Sequence, residues 1–433
     1  MIRWILLSLC FVWPLSVEAA FSAFAGSFDL NTVTGNQSIT GTGFQPDIVL
    51  FMYPLIAADG NAVDAKWGMG AGISSSSRRA VGMSSQDAQA SSVSAAGSST
   101  IRCILIVTNA GGTDSSVDFV SLDSNGFTIN VVTAPASARR ITYLALGGTD
   151  LTNVNVQSIS SPTSATTKAF TGTGFQPEAL ILFTAGAATA DPQAPGAANS
   201  TPFLGWASST TNLAVTGTRH VHNVATMDTA RRQLTNKCWS HPSATGVIVE
   251  ASLTSFDSDG FTLDFSTANP SAVFAYAITL RGGRYQSHTF NMSTTTGNTG
   301  VTGIGFQPAA VFLHSFHNIA ASTTQTHARQ GFGWASSTTD RAALAYGDTD
   351  NVADAICDQR FDSTKMLTLI TEGTPTVNDE FDLASLDSGG YTYNHTTASG
   401  VAEEVLGLAF GSTAGEPSII YTGTGRLFGA TIY

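Results

Sequence analysis

Apolar residues occur along the chain in short runs that alternate with polar, glycine-rich segments. The runs are four to eight residues long and rich in β-branched and aromatic side chains, as in DIVLFMY (47–53), CILIVTN (103–109), FTINVVT (127–133) and ITYLALG (141–147). Runs of this length between Gly, Pro, Ser and Asp residues are typical of β-strands joined by tight turns. No helical periodicity of apolar residues is evident after residue 20, so the pattern predicts an all-β protein.

The strand pattern occurs three times. GTGFQPDIVLF begins at residue 41, GTGFQPEALILF at 172 and GIGFQPAAVFLH at 303, and subtracting the numbers of Phe44, Phe175 and Phe306 gives a spacing of 131 residues in both cases. Three further landmarks follow each phenylalanine in the same order: a tryptophan (Trp67, Trp206, Trp334), an Asp-Ser turn (Asp123, Asp257, Asp387) and an apolar closing run (ending at Gly148, Gly283, Gly411). Four landmarks in a fixed order indicate tandem units.

The repeats predict the fold class and the domain boundaries. We expect three tandem jelly-roll-like β-sandwich domains, each long enough to fold on its own, preceded by a hydrophobic segment. The predicted parts are an N-terminal hydrophobic segment or signal peptide (1–20), three β-sandwich repeats (22–149, 150–284, 285–413) and a C-terminal strand or tail (414–433). The tail is apolar and alternating, so we expect it to pair with the last domain or with another chain.

The Asp-Ser landmark predicts a hairpin turn. Asp-Ser-Asn-Gly and Asp-Ser-Asp-Gly contain residues that tolerate positive φ, and each precedes a strand that starts with Phe-Thr. The alternative is the opening of a calcium loop. The third position changes from Asn125 to Asp259 to Gly389, and the glutamate that a calcium loop needs downstream is missing, which favours the turn.

Composition and charge narrow the class of partner. The chain is 42% hydrophobic and only 12% charged, with a formal net charge of -12, and its arginines occur in isolated pairs. Nucleic-acid binding needs a basic stripe, so we expect no nucleic-acid partner. Cys103 and Cys238 fall at equivalent positions where the third repeat has Met366, which predicts a buried apolar position and no redox or metal role.

The N-terminal segment MIRWILLSLCFVWPLSVEAAF has the features of a secretory signal peptide. It has a positive residue at Arg3, an apolar run from Trp4 to Leu15, and Val17 and Ala19 at the -3 and -1 positions of a cleavage site. The apolar run is short for a membrane span. The segment therefore predicts secretion and cleavage.

The combined motifs resemble a known family. GFQP followed by an apolar strand, then FGWASS, then DSDGFTL, then the closing YAITL, resemble a domain of virion structural proteins of tailed bacteriophages, over nearly the whole chain after the N-terminal segment. The resemblance implies a place on the virion surface, with other virion proteins or a host surface glycan or receptor as partners. It also implies a homo-oligomer, and a trimer is the form common among such fibres. The family tends to place a tryptophan and a lysine around the first strand, where this chain has VLFMYPL, LILFTAG and VFLHSFH.

The sequence offers few candidates for chemistry. His220 and His222 in TRHVHNVA would point to one side of a strand, which suits Zn²⁺ or Ni²⁺ if a third ligand comes from elsewhere. The matching stretch of the third repeat has Asp348 and Asp350, and an alternating polar face on a solvent-facing strand explains both versions without a metal. We therefore expect no cofactor, with these two histidines as the candidate metal ligands.

Other histidines and the tryptophans have simpler interpretations. His314 and His317 are interpreted as surface residues beyond the first strand. The tryptophans are interpreted as core anchors, with stacking platforms for sugars as the alternative. Nucleophile elbows, phosphate-binding glycine loops and HExxH helices are missing from the sequence. We therefore expect a protein that is not an enzyme.

Two functions remain. The first is a phage virion surface structural protein, such as a fibre, spike or head decoration, with an adhesive, receptor-contact or capsid-packing role. The alternative is a secreted bacterial cell-surface adhesin or carbohydrate-binding protein, which the signal-like N-terminus favours. Sequence differences between repeats are greatest between the tryptophan and the Asp-Ser turn, so we expect recognition there.

Overall fold

The computed structural model describes residues 21–186, 188–317, 323–371 and 375–413, and within these ranges the chain forms strands and connecting loops without a helix. The N-terminal segment 1–20 and the tail 414–433 therefore lie outside the described residues. Each repeat contributes eleven strands, and all of them together run from β1 to β33. No helix of the described part is long and apolar enough to span a bilayer.

The strands of the first repeat are β1 (Ser22–Leu30), β2 (Gly35–Thr40), β3 (Pro46–Tyr53), β4 (Gly60–Val63), β5 (Ala65–Gly72), β6 (Arg78–Gln86), β7 (Val93–Ser99), β8 (Ile104–Val107), β9 (Thr113–Asp123), β10 (Gly126–Thr133) and β11 (Arg139–Gly147). Those of the second are β12 (Asn153–Ser160), β13 (Thr166–Thr171), β14 (Ala179–Thr184), β15 (Gly196–Ala197), β16 (Phe203–Ala207), β17 (Leu213–His220), β18 (Thr229–Leu234), β19 (Trp239–Pro242), β20 (Val247–Asp257), β21 (Gly260–Thr267) and β22 (Phe274–Arg281). Those of the third are β23 (Arg284–Asn291), β24 (Gly297–Thr302), β25 (Ala310–Ser315), β26 (Gln325–Thr326), β27 (Ala328–Ala335), β28 (Arg341–Asp348), β29 (Cys357–Asp362), β30 (Leu367–Ile370), β31 (Val377–Asp387), β32 (Gly390–Thr397) and β33 (Glu404–Gly411).

Each repeat forms a sandwich of one seven-stranded and one four-stranded antiparallel sheet. In the first repeat the large sheet has the order β1-β11-β3-β5-β6-β7-β15 and the small sheet β2-β10-β9-β8. The first and last strands of the repeat are neighbours, as in a jelly roll, while β5, β6 and β7 form an added meander. The prediction of an all-β, sandwich-type fold is confirmed.

The large sheets exchange their edge strands around a closed ring. The fourth strand of each repeat leaves its own sandwich: β15 pairs with β7 of the first repeat, β26 with β18 of the second, and β4 with β29 of the third. Each large sheet is thus completed by the next repeat, and the third is completed by the first. The exchange covers one edge of every large sheet with a strand from a neighbour.

The large sheets are buried on both faces. In β3, Ile48, Leu50 and Met52 belong to the largest hydrophobic cluster, whereas the intervening Val49 and Phe51 pack inside the sandwich of the first repeat. A strand covered on both faces carries a continuous apolar run, and this is the physical reason for sequences such as DIVLFMY. A small-sheet strand such as β20 alternates between buried and partly exposed residues over its central part.

The three repeats share one central core. The largest cluster draws residues from all three large sheets, whereas the three sandwich interiors form separate clusters. The strands lie within the predicted domain boundaries except that β23 begins at Arg284, one residue before the third predicted domain. The sequence led us to expect units complete in themselves. The structure differs, because one face of each large sheet contributes apolar residues to a core shared with the other two repeats.

The Asp-Ser landmark forms the predicted hairpin. Asp257 accepts hydrogen bonds from the hydroxyls of Ser255 and Thr262, both at 2.6 Å, and its counterparts Asp123 and Asp387 accept the equivalent pairs. Gly260 closes the turn with a φ of 144°, and an added Cβ would lie 1.9 Å from the carbonyl oxygen of Phe170. The aspartates are therefore occupied in holding their own hairpins.

The Gly-Phe-Gln-Pro landmark is tied to that hairpin. The side-chain amides of its glutamines donate to the carbonyl that precedes each turn aspartate: Gln45 to Leu122 (3.0 Å), Gln176 to Phe256 (2.7 Å), Gln307 to Leu386 (2.6 Å). The two most regular motifs of the sequence thus stabilise each other's loops at one end of every sandwich.

The Trp-Ala-Ser-Ser landmark joins neighbouring repeats. Trp206 donates its Nε1 hydrogen to Ser287 of the third repeat at 3.1 Å, and Trp334 donates to Thr142 of the first at 2.7 Å. Two residues after each tryptophan, Ser208 accepts the backbone N–H of Ser287 (2.9 Å) and Ser336 that of Ala25 (2.8 Å). This motif therefore stabilises the ring.

The first repeat departs from the motif. Trp206 lies opposite Ile181 and Trp334 opposite Phe312, but Ala71 occupies the equivalent position of the first repeat, opposite Leu50. Trp67 is therefore not the equivalent of the other two tryptophans. It is buried, stacks on Phe332 of the third repeat with ring centroids 5.4 Å apart, and its Nε1 has no hydrogen-bond partner among the described residues.

Candidate functional site

The two candidate metal ligands are separated by the fold. His220 is the last residue of β17 and is completely buried, where its Nδ1 contacts the carboxylate of Asp348 from the third repeat. His222 lies beyond the strand, and its Nδ1 accepts the backbone N–H of Ser94 from the first repeat at 3.2 Å. Among the described residues no group of three or more His, Cys, Asp and Glu side chains is placed to hold a metal ion. The solvent-facing strand expected here is wrong, because β17 faces the central core.

Around His220 lies a buried polar cluster that joins the second and third repeats. This central polar cluster consists of Thr218, His220, Gln330, Tyr346 and Asp348, all at most 3% exposed. Thr218 contacts the Tyr346 hydroxyl at 2.9 Å and His220 Nε2 at 3.1 Å. The Gln330 amide donates to Thr218 at 2.9 Å and also to the Tyr346 hydroxyl. Burial raises the pKa of Tyr346 well above its ordinary value, so the phenol stays protonated.

Two members of the central polar cluster, His220 and Asp348, have an equivalent in the first repeat, which is Ser85. Ser85 lies opposite Ala65, His220 opposite Ser200 and Asp348 opposite Ala328, which is the same register position in each large sheet. Asp348 in turn pairs with Cys357, whose Sγ lies 3.5 Å from the Ser85 hydroxyl. His220 and Asp348 therefore contact each other directly, whereas Ser85 contacts Cys357, the ladder partner of Asp348.

His314 and His317 are not surface residues. His314 is completely buried in β25, stacks on Phe332 with ring centroids 4.2 Å apart, and its Nε2 contacts Gln330 at 2.8 Å. Burial lowers the pKa of His314 to about 3, although the Gln330 hydrogen bond opposes this shift. His317 is 8% exposed, with Nδ1 3.4 Å from a carboxylate oxygen of Glu403. The interpretation of both histidines as surface residues was wrong, because it did not include the central core that covers the outer face of the large sheet.

The remaining sequence candidates serve packing. Trp67, Trp206 and Trp334 are at most 2% exposed, so they are core anchors and their rings offer no open sugar platform. The turn aspartates hold hairpins, as described above. Cys103, Cys238 and Met366 are completely buried, as expected for an apolar position, and burial raises the pKa of Cys238 to about 12.

An open cleft of about 490 Å³ lies in the second repeat. It is next to the connection between β14 and β16, which is longer than the equivalent connection in either of the other repeats. Its lining consists of Gly186, Ala188, Thr189, Ala190, Gln193, Ala198, Asn199, Thr201, Arg219 and Ile248. Small side chains form most of the wall, and four uncharged polar side chains and one guanidinium face the space. We call it the second-repeat cleft. None of these described lining residues is acidic.

The cleft is held rigidly by contacts to the first repeat. Gln193 and Ser98 exchange two hydrogen bonds of 2.8 Å each, and the Tyr276 hydroxyl donates to Asp191 at 2.9 Å. An added Cβ at Gly97 would lie 2.9 Å from Pro195, so the loop packs directly on the β7 backbone. The exchanged strand β15 and the wall of the cleft therefore belong to the same loop, which the first repeat holds in place.

One charged side chain lines the cleft. Arg219 forms a two-point ion pair with Asp228, with one N–O distance of 2.9 Å. Asn199 accepts the backbone N–H of His222 at 2.8 Å. Because the arginine is already paired, the cleft offers hydrogen-bonding groups of both kinds with little free charge, which suits a neutral polar ligand.

A second, more polar groove of about 340 Å³ lies between the first and third repeats. It is lined by Phe24, Ala25, Gly26, Ser27, Thr40, Gly41, Tyr143, Thr339, Asp340, Arg341 and Ser363. Burial, with the nearby Asp340 carboxylate, raises the pKa of Tyr143 above its ordinary value. Arg341 lies 3.4 Å from Asp382, so its charge is also partly paired.

The second-repeat cleft overlaps only partly with the region in which the sequence led us to expect recognition. Arg219 and Ile248 fall between the tryptophan and the Asp-Ser turn, where recognition was expected, but the other eight lining residues precede Trp206. A signal was available, since the segment TAGAATADPQAPGAANSTP is longer and more irregular than its counterpart in the first repeat. Long connections of this kind commonly carry binding sites.

Comparisons with known proteins do not identify a family. No protein-family model matches the chain, and no curated protein matches it. Among solved structures, the Macrobrachium rosenbergii nodavirus has 11% identity and a TM-score of 0.11, with 65% of this chain and 92% of that chain covered. A Bombyx mori GH32 beta-fructofuranosidase variant in complex with sucrose has 8% identity and a TM-score of 0.10, covering 86% and 94%. Scores this low carry no information on fold or function here.

Proposed function

We propose that the chain is a non-enzymatic structural protein of a phage virion surface, a fibre, spike or head decoration that contacts a host receptor or neighbouring capsid proteins. The observation that carries the proposal is the closed ring of three sandwiches. The shared motifs hold hairpins, loops and inter-repeat contacts. Their repetition is therefore explained by assembly of a rigid, three-part body.

The variable parts support a recognition role. The second-repeat cleft exists because one exchange loop is longer than the others, while the shared framework is unchanged. Among the lining residues that the structure describes there is no pair of facing carboxylates, which glycoside hydrolysis requires. A small, polar and nearly uncharged cleft fits a glycan or another neutral polar group.

A homo-oligomer stays a prediction. The ring already supplies within one chain three sandwiches around a common core, which a trimer of a single module would otherwise provide. Light scattering of the purified protein decides between a monomeric ring and a larger assembly of rings.

Mass spectrometry and electron microscopy of purified virus particles test the proposal. We expect the protein in intact particles at a fixed ratio to the major capsid protein, with density for three-lobed units on the surface. If the protein is recovered only from particle-free culture medium, the virion role is wrong.

The secreted adhesin or carbohydrate-binding protein remains the second candidate because residues 1–20 have the sequence of a signal peptide. Sequencing the N-terminus of the protein isolated from its source separates the two. A start at Ala20 supports secretion, whereas a start at Met1 or Ile2 removes that argument.

Binding through the cleft has its own test. Thr189 is exposed at the cleft, so Thr189→Trp should obstruct it without disturbing the core. We expect this variant to lose at least tenfold in binding to whole host cells or to an array glycan. Val33→Trp, at a position 67% exposed and absent from the cleft lining, is the matched control and should bind normally. Equal binding by both variants would exclude the cleft.

A further inference from the structure

A group of three side chains in the first repeat has the composition of a reactive site. Lys66, on β5, is only 6% exposed, and its Nζ lies 3.1 Å from Oδ2 of Asp64. The side-chain amide of Asn109 donates to the same Oδ2 at 2.9 Å. A lysine amine and a carboxamide thus meet at one carboxylate oxygen.

The group lies between the two sheets of the first sandwich. Ala65 and Trp67 belong to the central core, so Lys66 points to the opposite face of β5, towards the small sheet. Asn109 follows β8 of that small sheet. Ser84 lies opposite Lys66 in the β5–β6 ladder and donates to the Thr108 carbonyl at 3.0 Å, which fixes the loop that carries Asn109 next to the lysine.

The carboxylate is placed by the closure of the ring. Asp64 directly follows the exchanged strand β4, has a φ of 70°, and donates its backbone N–H to the Cys357 carbonyl of the third repeat at 2.8 Å. Its Oδ1 accepts the backbone N–H of Asp87 at 2.9 Å. Aspartate adopts this left-handed backbone more readily than most residues, and here the Cys357 and Asp87 contacts hold it in place.

The amide has unsatisfied bonding capacity. Asn109 Oδ1 is buried and has no hydrogen-bond partner among the described residues. Rotation about the Cβ–Cγ bond exchanges Oδ1 and Nδ2, which would place the oxygen beside Asp64. A protonated Asp64 would then donate to that oxygen and polarise the carbonyl.

We propose that Lys66 and Asn109 form an intramolecular isopeptide bond, with Asp64 as the group that transfers protons. The ammonium of Lys66 gives one proton to Asp64, and the neutral Nζ attacks Cγ of Asn109. A C–N bond forms as Nζ gives up a second proton, the bond from Cγ to Nδ2 breaks, and Nδ2 receives both protons, the first returned by Asp64, so that it leaves as ammonium, the protonated form of ammonia. An amine and a carboxamide thus become a secondary amide and ammonia, with no oxidant, metal or nucleotide consumed.

The geometry limits the bond to the first repeat. Thr201 and Arg329 follow Ser200 and Ala328, so they occupy the positions equivalent to Lys66, and neither offers a lysine amine. The bond would join the two sheets of one sandwich across a segment that contains β6, β7 and β8. It would form only after β4 has docked on the third repeat, because that contact positions Asp64.

Mass spectrometry of the purified full chain tests the proposal. We expect an intact mass lower than the sequence mass by one ammonia molecule, after any N-terminal processing is allowed for. Protease digestion should give a branched peptide that joins the segments containing Lys66 and Asn109. Folded protein with the full sequence mass and no branched peptide overturns the proposal.

Variants separate the reaction from a salt bridge that only stabilises the fold. Lys66→Arg and Asp64→Asn should both have the full sequence mass, without the loss of ammonia. Asp64→Asn should still unfold cooperatively, with a thermal midpoint about 4 °C below that of the original chain. Lys237→Arg removes a half-buried lysine of the second repeat that contacts Ser266, and this variant should lose ammonia as the original chain does. Loss of ammonia in Lys66→Arg would show that the amine comes from another residue, which also contradicts the proposal.

Discussion

At the residue scale, the buried histidines show how a third layer changes the meaning of a polar residue. His220 ends a strand whose polar residues resemble those of an exposed face, and His314 lies near the end of a continuous apolar run, yet both are completely buried. His241 is also buried, but inside the second sandwich, against Phe203 with ring centroids 4.9 Å apart. For His220 the sequence could identify the strand but not the layer that covers it, because that layer comes from the third repeat.

These histidines make stability depend on pH. Burial lowers the pKa of His314 to about 3 and that of His241 to about 4, below the ordinary value near 6.5. Between these values the unfolded chain binds more protons than the folded one, so the free energy of unfolding falls as pH drops from about 6.5 to about 4. The two groups together contribute about 3 kcal/mol per pH unit within that window.

Urea unfolding at several pH values measures this slope. His314→Gln keeps a group that can contact Gln330 but removes one titration, so we expect its slope to be smaller by about 1.4 kcal/mol per pH unit. A stability that is flat between pH 6.5 and 4 in the original chain would contradict the assignment.

The turn aspartates allow a test of the calcium alternative. Replacing Asp257 with Ala removes two hydrogen bonds, from Ser255 and Thr262, and should cost about 1–2 kcal/mol of unfolding free energy. Addition of a calcium chelator to the original chain should leave the thermal midpoint unchanged, since the carboxylate is already satisfied. A midpoint that falls with chelator and recovers with Ca²⁺ would restore the calcium loop.

At the scale of elements, the sequence was informative wherever a strand had a long apolar run. The first strand after each Phe-Gln-Pro, the Asp-Ser hairpins and the closing strands were all predicted, because each has its own local pattern. The exchanged strands were not predicted. Their sequences, GNAV in β4, GA in β15 and QT in β26, are short and have no run of large apolar residues, since they contribute mainly backbone pairing, with Ala62 of β4 packed against the central core.

The strand β4 closes the ring, and its loss should be detectable. It pairs with β29 from Val63 to Gly60, and Asn61 Oδ1 also accepts from Arg360 at 3.0 Å. The backbone N–H groups of adjacent strand residues point to opposite edges of the strand, and proline has no N–H. One of the two variants Asn61→Pro and Ala62→Pro must therefore lose a hydrogen bond to β29. We expect that variant to lose on the order of 1–3 kcal/mol of unfolding free energy.

Hydrogen exchange locates the effect. The amides of β29 (Cys357–Asp362) should exchange faster in that variant, whereas those of β18 (Thr229–Leu234), which pairs with a different exchanged strand, should not change. Val63→Thr, at a position 61% exposed, is the control that leaves the backbone pairing intact. Unchanged protection of β29 in both proline variants would show that β4 contributes nothing to ring closure.

At the scale of the whole molecule, repetition indicated a string of units, but the same residues also encode a closed assembly. The apolar runs of β3, β14 and β25 are continuous, and in hindsight this is the signal of sheets buried on both faces. Their sequence could not say whether the second cover comes from the same repeat, another repeat or another chain. Only the register of the exchanged strands settles that question.

A single repeat should therefore not form a stable monomer. Segment 22–149 alone would expose the central-core side chains of β3 and β5, including Leu50, Met69 and Trp67, and its large sheet would lack β15. Exposed apolar area of this kind leads to association or aggregation. The full chain, in contrast, should unfold in one cooperative transition, because the central core is lost by all three repeats together.

Calorimetry of the full chain and light scattering of the three separate repeats, 22–149, 150–284 and 285–413, test this prediction. We expect a single heat-absorption peak for the chain and associated or unfolded material for each fragment. A mixture of the three fragments is the informative control. Since each fragment carries the edge strand that completes another's sheet, the mixture should assemble into a complex with one copy of each. If every fragment is instead monomeric with a sharp transition of its own, the central core does not contribute the stability that its burial implies.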